Sequence, residues 1–141
     1  MALSRTVSSS PDNEPIHLEY EPGTCNIGPA EITRRRRTGH VGVLASFGLL
    51  ASLLALDAPA VARGLIALPA TAAAVGYLQA HFRFCAAFGF RGVFNFGAIG
   101  EQQAVGGRAR MAVDRRRAAS ITVAGVGIGI AAGILAILLP A

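Results

Sequence analysis

Four side chains of this sequence could take part in thiol or metal chemistry: Cys25, His40, His81 and Cys85. His81 and Cys85 are four residues apart and would share one face of a helix. Thiolate and imidazole groups together suit zinc or another soft metal ion, and two thiols could instead carry redox or persulfide chemistry. The sequence has no close Cys-x-x-Cys or His-x-x-x-His pair, so each hypothesis depends on a fold that brings the four together.

No other familiar catalytic pattern is present in the chain. We find no Ser/His/Asp set, no phosphate-binding loop and no paired carboxylates within an apolar segment. A plainer interpretation is that the two thiols are buried and the two imidazoles lie at a membrane surface. The sequence therefore favours a protein without a cofactor and without enzymatic activity, and Cys25 and Cys85 are the candidates for catalysis if it has one.

The elements that would position these side chains are apolar and long. Of the 141 residues, 52% are hydrophobic and only 15% are charged, which is too little charge for the polar coat of a soluble domain. Three stretches carry no charge: residues 38–56, 64–80 and 118–139. As a helix the first would be about 28 Å long, close to the roughly 30 Å hydrocarbon core of a bilayer. We predict an all-α integral membrane protein with three transmembrane helices, a helical hairpin plus a C-terminal span.

Local signals predict where the hairpin begins and turns. Gly28 as N-cap, Pro29 in the first turn and Glu31 near the positive end of the helix dipole predict a helix start. The segment "DAPAVAR", residues 57–63, combines charges and proline and predicts the turn between the first two spans.

The segments outside the spans differ in composition. Residues 1–24 are rich in Ser, Pro and acidic residues, which predicts a disordered tail and no signal peptide. Residues 25–96 hold the lead-in, the hairpin and a Phe-rich segment, residues 82–96, with six of the seven phenylalanines. We expect that segment to lie at headgroup depth. Residues 97–117 are read as an Arg-rich cytosolic linker that is partly flexible.

Arginine runs flank the apolar stretches and predict an orientation. Arg34, Arg35, Arg36 and Arg37 precede the first span, and Arg115, Arg116 and Arg117 precede the third. Because positively charged segments stay in the cytosol, we predict a multi-pass protein of a bacterial inner membrane, with its N-terminus cytosolic and its C-terminus external. The same arginines would attract anionic lipid headgroups. We expect no nucleic-acid partner.

Small residues recur at helical spacing and predict contacts between helices. Gly125, Gly129 and Gly133 share one face of the third span, and Ala45, Gly48 and Ser52 share one face of the first. Such faces let helix backbones approach closely in a membrane. The partner of the glycine face could be the chain's own hairpin, a second copy or another protein.

Two short motifs carry a resemblance to a known family. They consist of Asn26, Ile27, Gly28, Glu31, Arg35 and Gly39 before the hairpin, and of Cys85, Phe88 and Gly92 after it. With these residues, the stretch 25–95 resembles the two-helix transmembrane domain of the YgaP-like inner-membrane family, some members of which carry a rhodanese domain. The chain departs from the family pattern at Ile32 and Ala86, adds a third span and has no rhodanese domain. The resemblance implies a membrane hairpin that self-associates.

We therefore expect an accessory, assembly or self-associating subunit that acts by helix–helix contacts. Its partner would be a second copy or another membrane protein. The alternative hypothesis is a thiol-dependent component that handles sulfur or redox equivalents at the cytosolic membrane face through Cys25 and Cys85.

Overall fold

A computed structural model describes residues 20–140 of the chain, and 71% of it is helical. The helices are α1 (Pro29–Ala55), α2 (Ala67–His81), α3 (Ala86–Arg91) and α4 (Arg108–Leu138). A 3₁₀ helix, Ala60–Ile66, leads into α2, and the strands β1 (Val93–Phe94) and β2 (Gln103–Ala104) form an antiparallel pair. Most of the predicted tail, residues 1–19, lies outside the described residues.

The hairpin begins and turns where local signals predicted. Gly28 is the N-cap of α1, with Pro29 as its first residue and Glu31 in its first turn. The helix ends at Ala55, and Asp57 then adopts a left-handed backbone with φ 48. The chain reverses there, so the turn predicted for residues 57–63 is confirmed.

Three helical segments are long and apolar enough to cross a membrane: Pro29–Ala55, Ala60–His81 and Arg108–Leu138. Many large apolar side chains on them face outward, and only 11% of the most apolar window of α1 is buried within the chain. The third helix starts at Arg108, earlier than the uncharged stretch that begins at residue 118. We call the end that holds the first turns of α1 and α4 the arginine-rich end.

The helix α2 lies between α1 and α4 and packs against both. Its contacts are made at glycines: a Cβ added at Gly42 would lie 2.6 Å from the backbone N of Ala73. A Cβ added at Gly129 would lie 2.8 Å from the carbonyl O of Ala67. The small residues therefore bring the helix backbones into direct contact within one chain.

The glycine face of the third span thus has its partner in the chain's own hairpin. Gly125 packs against Val75, and Gly129 and Gly133 pack against the first turn of α2 and the end of the 3₁₀ helix. Of the three partners that the sequence left open, the structure supplies the intramolecular one.

Two phenylalanines of the Phe-rich segment are buried in the core, and Phe90 is exposed. Phe84 is fully buried with Ala118 and Ile121 of α4 in one apolar cluster. Phe88 is buried in a second cluster with Ile27 and Cys85. Phe84 is buried because α4 begins early enough to pack against it. The position of the segment at headgroup depth stays a prediction.

The linker and the last part of the predicted tail are also ordered. The strand β2 and the first turns of α4 occupy most of residues 97–117. Asp114 is buried and accepts two hydrogen bonds of 2.7 Å, from the Tyr20 hydroxyl to Oδ2 and from the Gly23 backbone N to Oδ1. Burial and the bond to Asp114 raise the pKa of Tyr20, so its hydroxyl stays protonated and donates. The boundary predicted at residue 24 is wrong, because residues 20–24 are anchored on α4.

At the opposite end, Arg63 joins the 3₁₀ helix to the end of α4. Its side chain is only 5% exposed, and Nη1 donates to the carbonyl O of Leu139 at 2.8 Å. A cation at this position satisfies a carbonyl beyond the helix and complements the negative end of its dipole.

Candidate functional site

A polar cluster is buried at the arginine-rich end, where the chain before α1, the first turns of α1 and the residues around α3 and β1 meet. We define it by five residues: Asn26, Glu31, Arg35, Cys85 and Asn95. Four of them are almost fully buried, and Arg35 is half-buried. Buried polar groups persist in folded proteins only where they find partners, so the contacts of each member define what the cluster does.

Asn26 pairs with both backbone polar groups of Cys85. Its Nδ2 donates to the Cys85 carbonyl O at 3.1 Å, and its Oδ1 accepts from the Cys85 backbone N at 2.7 Å. The backbone of Asn26 bonds to Arg83 on one side and to Asn95 on the other. This one residue therefore holds the segments before α1, after α2 and after β1 in a fixed register.

A second series of contacts in the polar cluster joins Glu31 to Arg35 and Arg35 to Cys85. Glu31 is 1% exposed, and its Oε2 lies 3.6 Å from Arg35 Nη2. The same Nη2 donates to Cys85 Sγ at 3.0 Å, and the guanidinium lies 5.9 Å from the centre of the Phe88 ring. Glu31 Oε2 and Arg35 Nε have no hydrogen-bond partner in the part of the chain that the structure describes.

Cys85 is the N-cap of α3, and its thiol is sealed from solvent. Burial raises its pKa above the ordinary 9.0, although the backbone N–H of Phe88 and the charge of Arg35 act in the opposite direction. Burial also raises the pKa of Cys25, which is half-buried. Both cysteines are free thiols. A neutral buried thiol behaves as a small apolar side chain.

We therefore predict that a maleimide at pH 7.5 modifies Cys25 at least tenfold faster than Cys85. The thiolate is the reacting species, and Cys85 combines a raised pKa with full burial. The raised pKa values also mean that the unfolded chain loses its thiol protons at a lower pH than the folded chain does. The free energy of unfolding should therefore fall as the pH rises above about 8.5. Mass spectrometry of the single variants Cys25→Ser and Cys85→Ser assigns each rate. Equal rates at the two sites would show that Cys85 is accessible.

The two histidines are not brought together with the cysteines. The Tyr77 hydroxyl lies 2.6 Å from His40 Nδ1, and the His81 ring packs edge-on against Phe82 at 5.0 Å between ring centres. Within residues 20–140 no group of three or more His, Cys, Asp or Glu side chains is placed to hold a metal ion. The metal site that the sequence suggested for Cys25, His40, His81 and Cys85 is therefore not formed by these side chains in the described structure.

The arginine runs divide into inward and outward side chains. Arg35 belongs to the polar cluster, and Arg117 lies 4.3 Å from the centre of the Phe82 ring. The remaining five are exposed: Arg34, Arg36, Arg37, Arg115 and Arg116. Two of the seven arginines assigned to lipid headgroups thus make internal contacts instead, because a helix points successive residues in different directions.

Some members of this polar region were not found from the sequence. The sequence gives no role to three buried polar residues: Asn95, Asp114 and Gln79. Gln79 Oε1 accepts a hydrogen bond from the Ala86 backbone N at 3.1 Å. The signal for Asn95 and Gln79 is a polar residue alone in an aromatic or apolar segment, as in "VFNF" and "YLQAH". Asp114 lies in the arginine-rich segment 108–117 and carries no such signal. Such a residue must find an internal partner once its neighbours are buried.

The residues that carry the family resemblance meet in this region. Asn26, Glu31, Arg35 and Cys85 are in direct contact, and Gly92 ends α3 in a left-handed conformation with φ 67. Comparison with protein-family models, curated proteins and solved structures finds no match to the chain. The resemblance to the YgaP-like family stays a prediction.

Proposed function

We propose that the protein is an integral membrane subunit that acts by helix–helix contacts and associates with a second copy of itself. Three helices are long and apolar enough to span a bilayer, and their large side chains face outward. In water such a surface would be far larger than the apolar patches that soluble monomers expose. This apolar surface is suited to contact with the hydrocarbon of a lipid bilayer.

The arginines support one orientation of these helices. The runs at 34–37 and 115–117 lie at the same end of the fold, and Arg63 lies at the other. The positive-inside rule then puts the arginine-rich end in the cytosol of a bacterial cell, with the end of α4 external. This places the polar cluster on the cytosolic side.

One surface carries the proposal of self-association, and we call it the outer face of α1. It consists of Ala45, Gly48 and Ser52, all of which are exposed. A Cβ added at Gly48 would meet no atom within 4 Å, whereas Gly39 and Gly42 of the same helix pack against α2. The helix therefore has small residues on a side where residues 20–140 provide no neighbour at Gly48.

The chemistry of the outer face suits another helix. Small residues let two backbones approach closely in a membrane, and the Ser52 hydroxyl is already bonded to the Gly48 carbonyl at 2.8 Å. Val41 and Leu44 are exposed beside the small residues and could pack around the contact. Because the whole surface lies on one helix, a two-fold axis would place α1 against α1.

The variant Gly48→Leu tests this surface. Overpacking a close contact costs about 1–3 kcal/mol, so we expect the dimer dissociation constant to rise about 5- to 150-fold. Energy transfer between donor- and acceptor-labelled copies in liposomes measures that constant. The matched control is Gly127→Leu on α4, where an added Cβ also meets no atom within 4 Å.

Two results would contradict the proposal. If Gly48→Leu associates as the unchanged protein does, the outer face is not the contact. If the unchanged protein is monomeric in liposomes at every density, it does not associate with itself.

A thiol-dependent function is the second candidate, and one contact favours it. Arg35 Nη2 donates to Cys85 Sγ, and a cation beside a sulfur stabilises the thiolate. Burial acts against this by raising the pKa of the same thiol. The maleimide experiment above separates the two candidates, since a reactive Cys85 would favour thiol chemistry.

A further inference from the structure

A cationic cleft opens at the arginine-rich end, between the first turns of α1 and the end of α2. Its volume is about 490 Å³. Arg36, His81 and Arg83 supply its basic side chains, and Ile32 and Ala80 supply apolar lining. Among residues 20–140, no acidic residue lines it.

In the described part of the chain, no carboxylate forms an ion pair with the arginines of the cleft. Glu31 is the acidic residue closest to it in sequence, but that side chain is buried and pairs with Arg34 and Arg35. Arg36 and Arg83 have no ion-pair partner within residues 20–140. Both are exposed, so an anion can reach them.

Two apolar depressions lie farther along the same side of the α1–α2 pair. The nearer is about 300 Å³ and is lined by Val43, Phe47, Ala74 and Tyr77 among others. The farther is about 290 Å³ and shares Phe47 with the first. We call the cleft and these two depressions the groove.

The spacing of residues on α1 places the cleft and the two depressions on one side of the helix, with the His40–Tyr77 pair between the cleft and the nearer depression. Arg36 lines the cleft, Val43 the nearer depression and Leu50 the farther one. Residues seven apart lie nearly above one another on a helix. From Arg36 to Leu50 the distance is about 21 Å, longer than the roughly 15 Å of one leaflet's hydrocarbon. Side chains of α4, including Ile128 and Leu135, close the other wall.

We infer that the groove binds one anionic phospholipid, with its phosphate in the cationic cleft and an acyl chain along the two apolar depressions. Arginine side chains bind phosphate oxygens through paired N–H donors. The apolar depressions then distinguish a lipid from a free phosphate ion, because only a lipid has an acyl chain that can pack along them. This site is more specific than the general attraction of exposed arginines to a membrane.

The inference depends on membrane insertion but not on self-association. The groove and the outer face occupy different sides of α1, because Val43 and Leu50 are separated from Gly48 by more than 100° around the helix. A lipid in the groove therefore leaves the proposed dimer contact free.

Lipid titration of the purified full chain tests the inference. The protein is freed of lipid in mild detergent, and binding of phosphatidylglycerol, phosphatidylcholine and glycerol 3-phosphate is measured by native mass spectrometry. We expect phosphatidylglycerol to bind most tightly. The double variant Arg36→Gln/Arg83→Gln should weaken that binding about 25-fold, about fivefold for each arginine.

Two further variants separate the cleft from the apolar depressions and from nonspecific charge. Ala70→Phe would fill the boundary of the two depressions, which Ala70 lines in both, and should weaken phosphatidylglycerol binding without changing that of glycerol 3-phosphate. Arg37→Gln is the matched control, since Arg37 is exposed but does not line the cleft. Its binding should stay within twofold of the unchanged protein.

Three results would overturn the inference. Equal binding of phosphatidylglycerol and phosphatidylcholine would exclude a phosphate-selective site for an anionic lipid. Equal binding of glycerol 3-phosphate and the lipid, with no effect of Ala70→Phe, would indicate a free-anion site. Equal losses in the double variant and in Arg37→Gln would indicate a nonspecific charge effect. A chain that is monodisperse without detergent would instead reject membrane insertion itself, so the two failures are distinguishable.

Discussion

Replacing Gly129 by leucine is expected to destabilise the fold by about 3 kcal/mol or more, whereas Gly127→Leu should change its stability by less than about 0.5 kcal/mol. A Cβ at Gly129 would lie 2.8 Å from both the Ala67 carbonyl O and the Thr71 backbone N. Backbone atoms cannot rotate away as a side chain does, so α4 must move off α2. At Gly127 an added Cβ meets no atom within 4 Å.

Thermal unfolding of the two variants in the same detergent measures this difference. Both carry the same added side chain on one helix, so changes in helix propensity and hydrophobicity cancel between them. Equal midpoints for Gly129→Leu and Gly127→Leu would show that α4 does not pack on α2 through its glycines. The glycine face would then be free for another partner.

The second large effect is expected for Glu31→Ala, which should lower the free energy of unfolding by about 3–5 kcal/mol. Glu31 is almost fully buried against Arg35. Its removal leaves the guanidinium beside Cys85 and Phe88 without a carboxylate. Uncompensated charge in such surroundings is costly because little water replaces the lost partner.

Arg34→Gln is the matched control for this pair. It removes the other contact of Glu31, a 4.0 Å approach by a side chain that is 56% exposed, and surface pairs contribute about 0–1 kcal/mol. The double variant Glu31→Met/Arg35→Met should recover much of the loss, because it removes both charges together. An equal loss in Glu31→Ala and Arg34→Gln would mean that the buried pair does not hold the polar cluster.

The packing of α4 on α2 limits which surfaces are free to contact a second copy of the protein. If α4 is held on α2 by its glycines, self-association has to use a different surface, and the outer face of α1 has small residues without a neighbour in the chain. The polar cluster has a different role. Asn26 ties three chain segments together at the arginine-rich end, and so holds Arg83, its backbone partner, at the cationic cleft.

The sequence by itself determined the features that depend on neighbouring residues. Uncharged stretches of sufficient length predicted the helices, Gly28 and Pro29 predicted the start of α1, and the residues 57–63 predicted the turn. Each of these signals acts within a few residues or one helix length.

Only the tertiary structure decided which faces meet. The spacing of Gly125, Gly129 and Gly133 showed a smooth helix face but not that α2 would occupy it. Composition placed the Phe-rich segment at a membrane surface, but Phe84 found a buried position against α4. Arg35 turned inward to Glu31 and Cys85, while its neighbour Arg36 lines the cationic cleft. Such choices depend on contacts between distant segments, whose free energies appear only when the whole chain is packed.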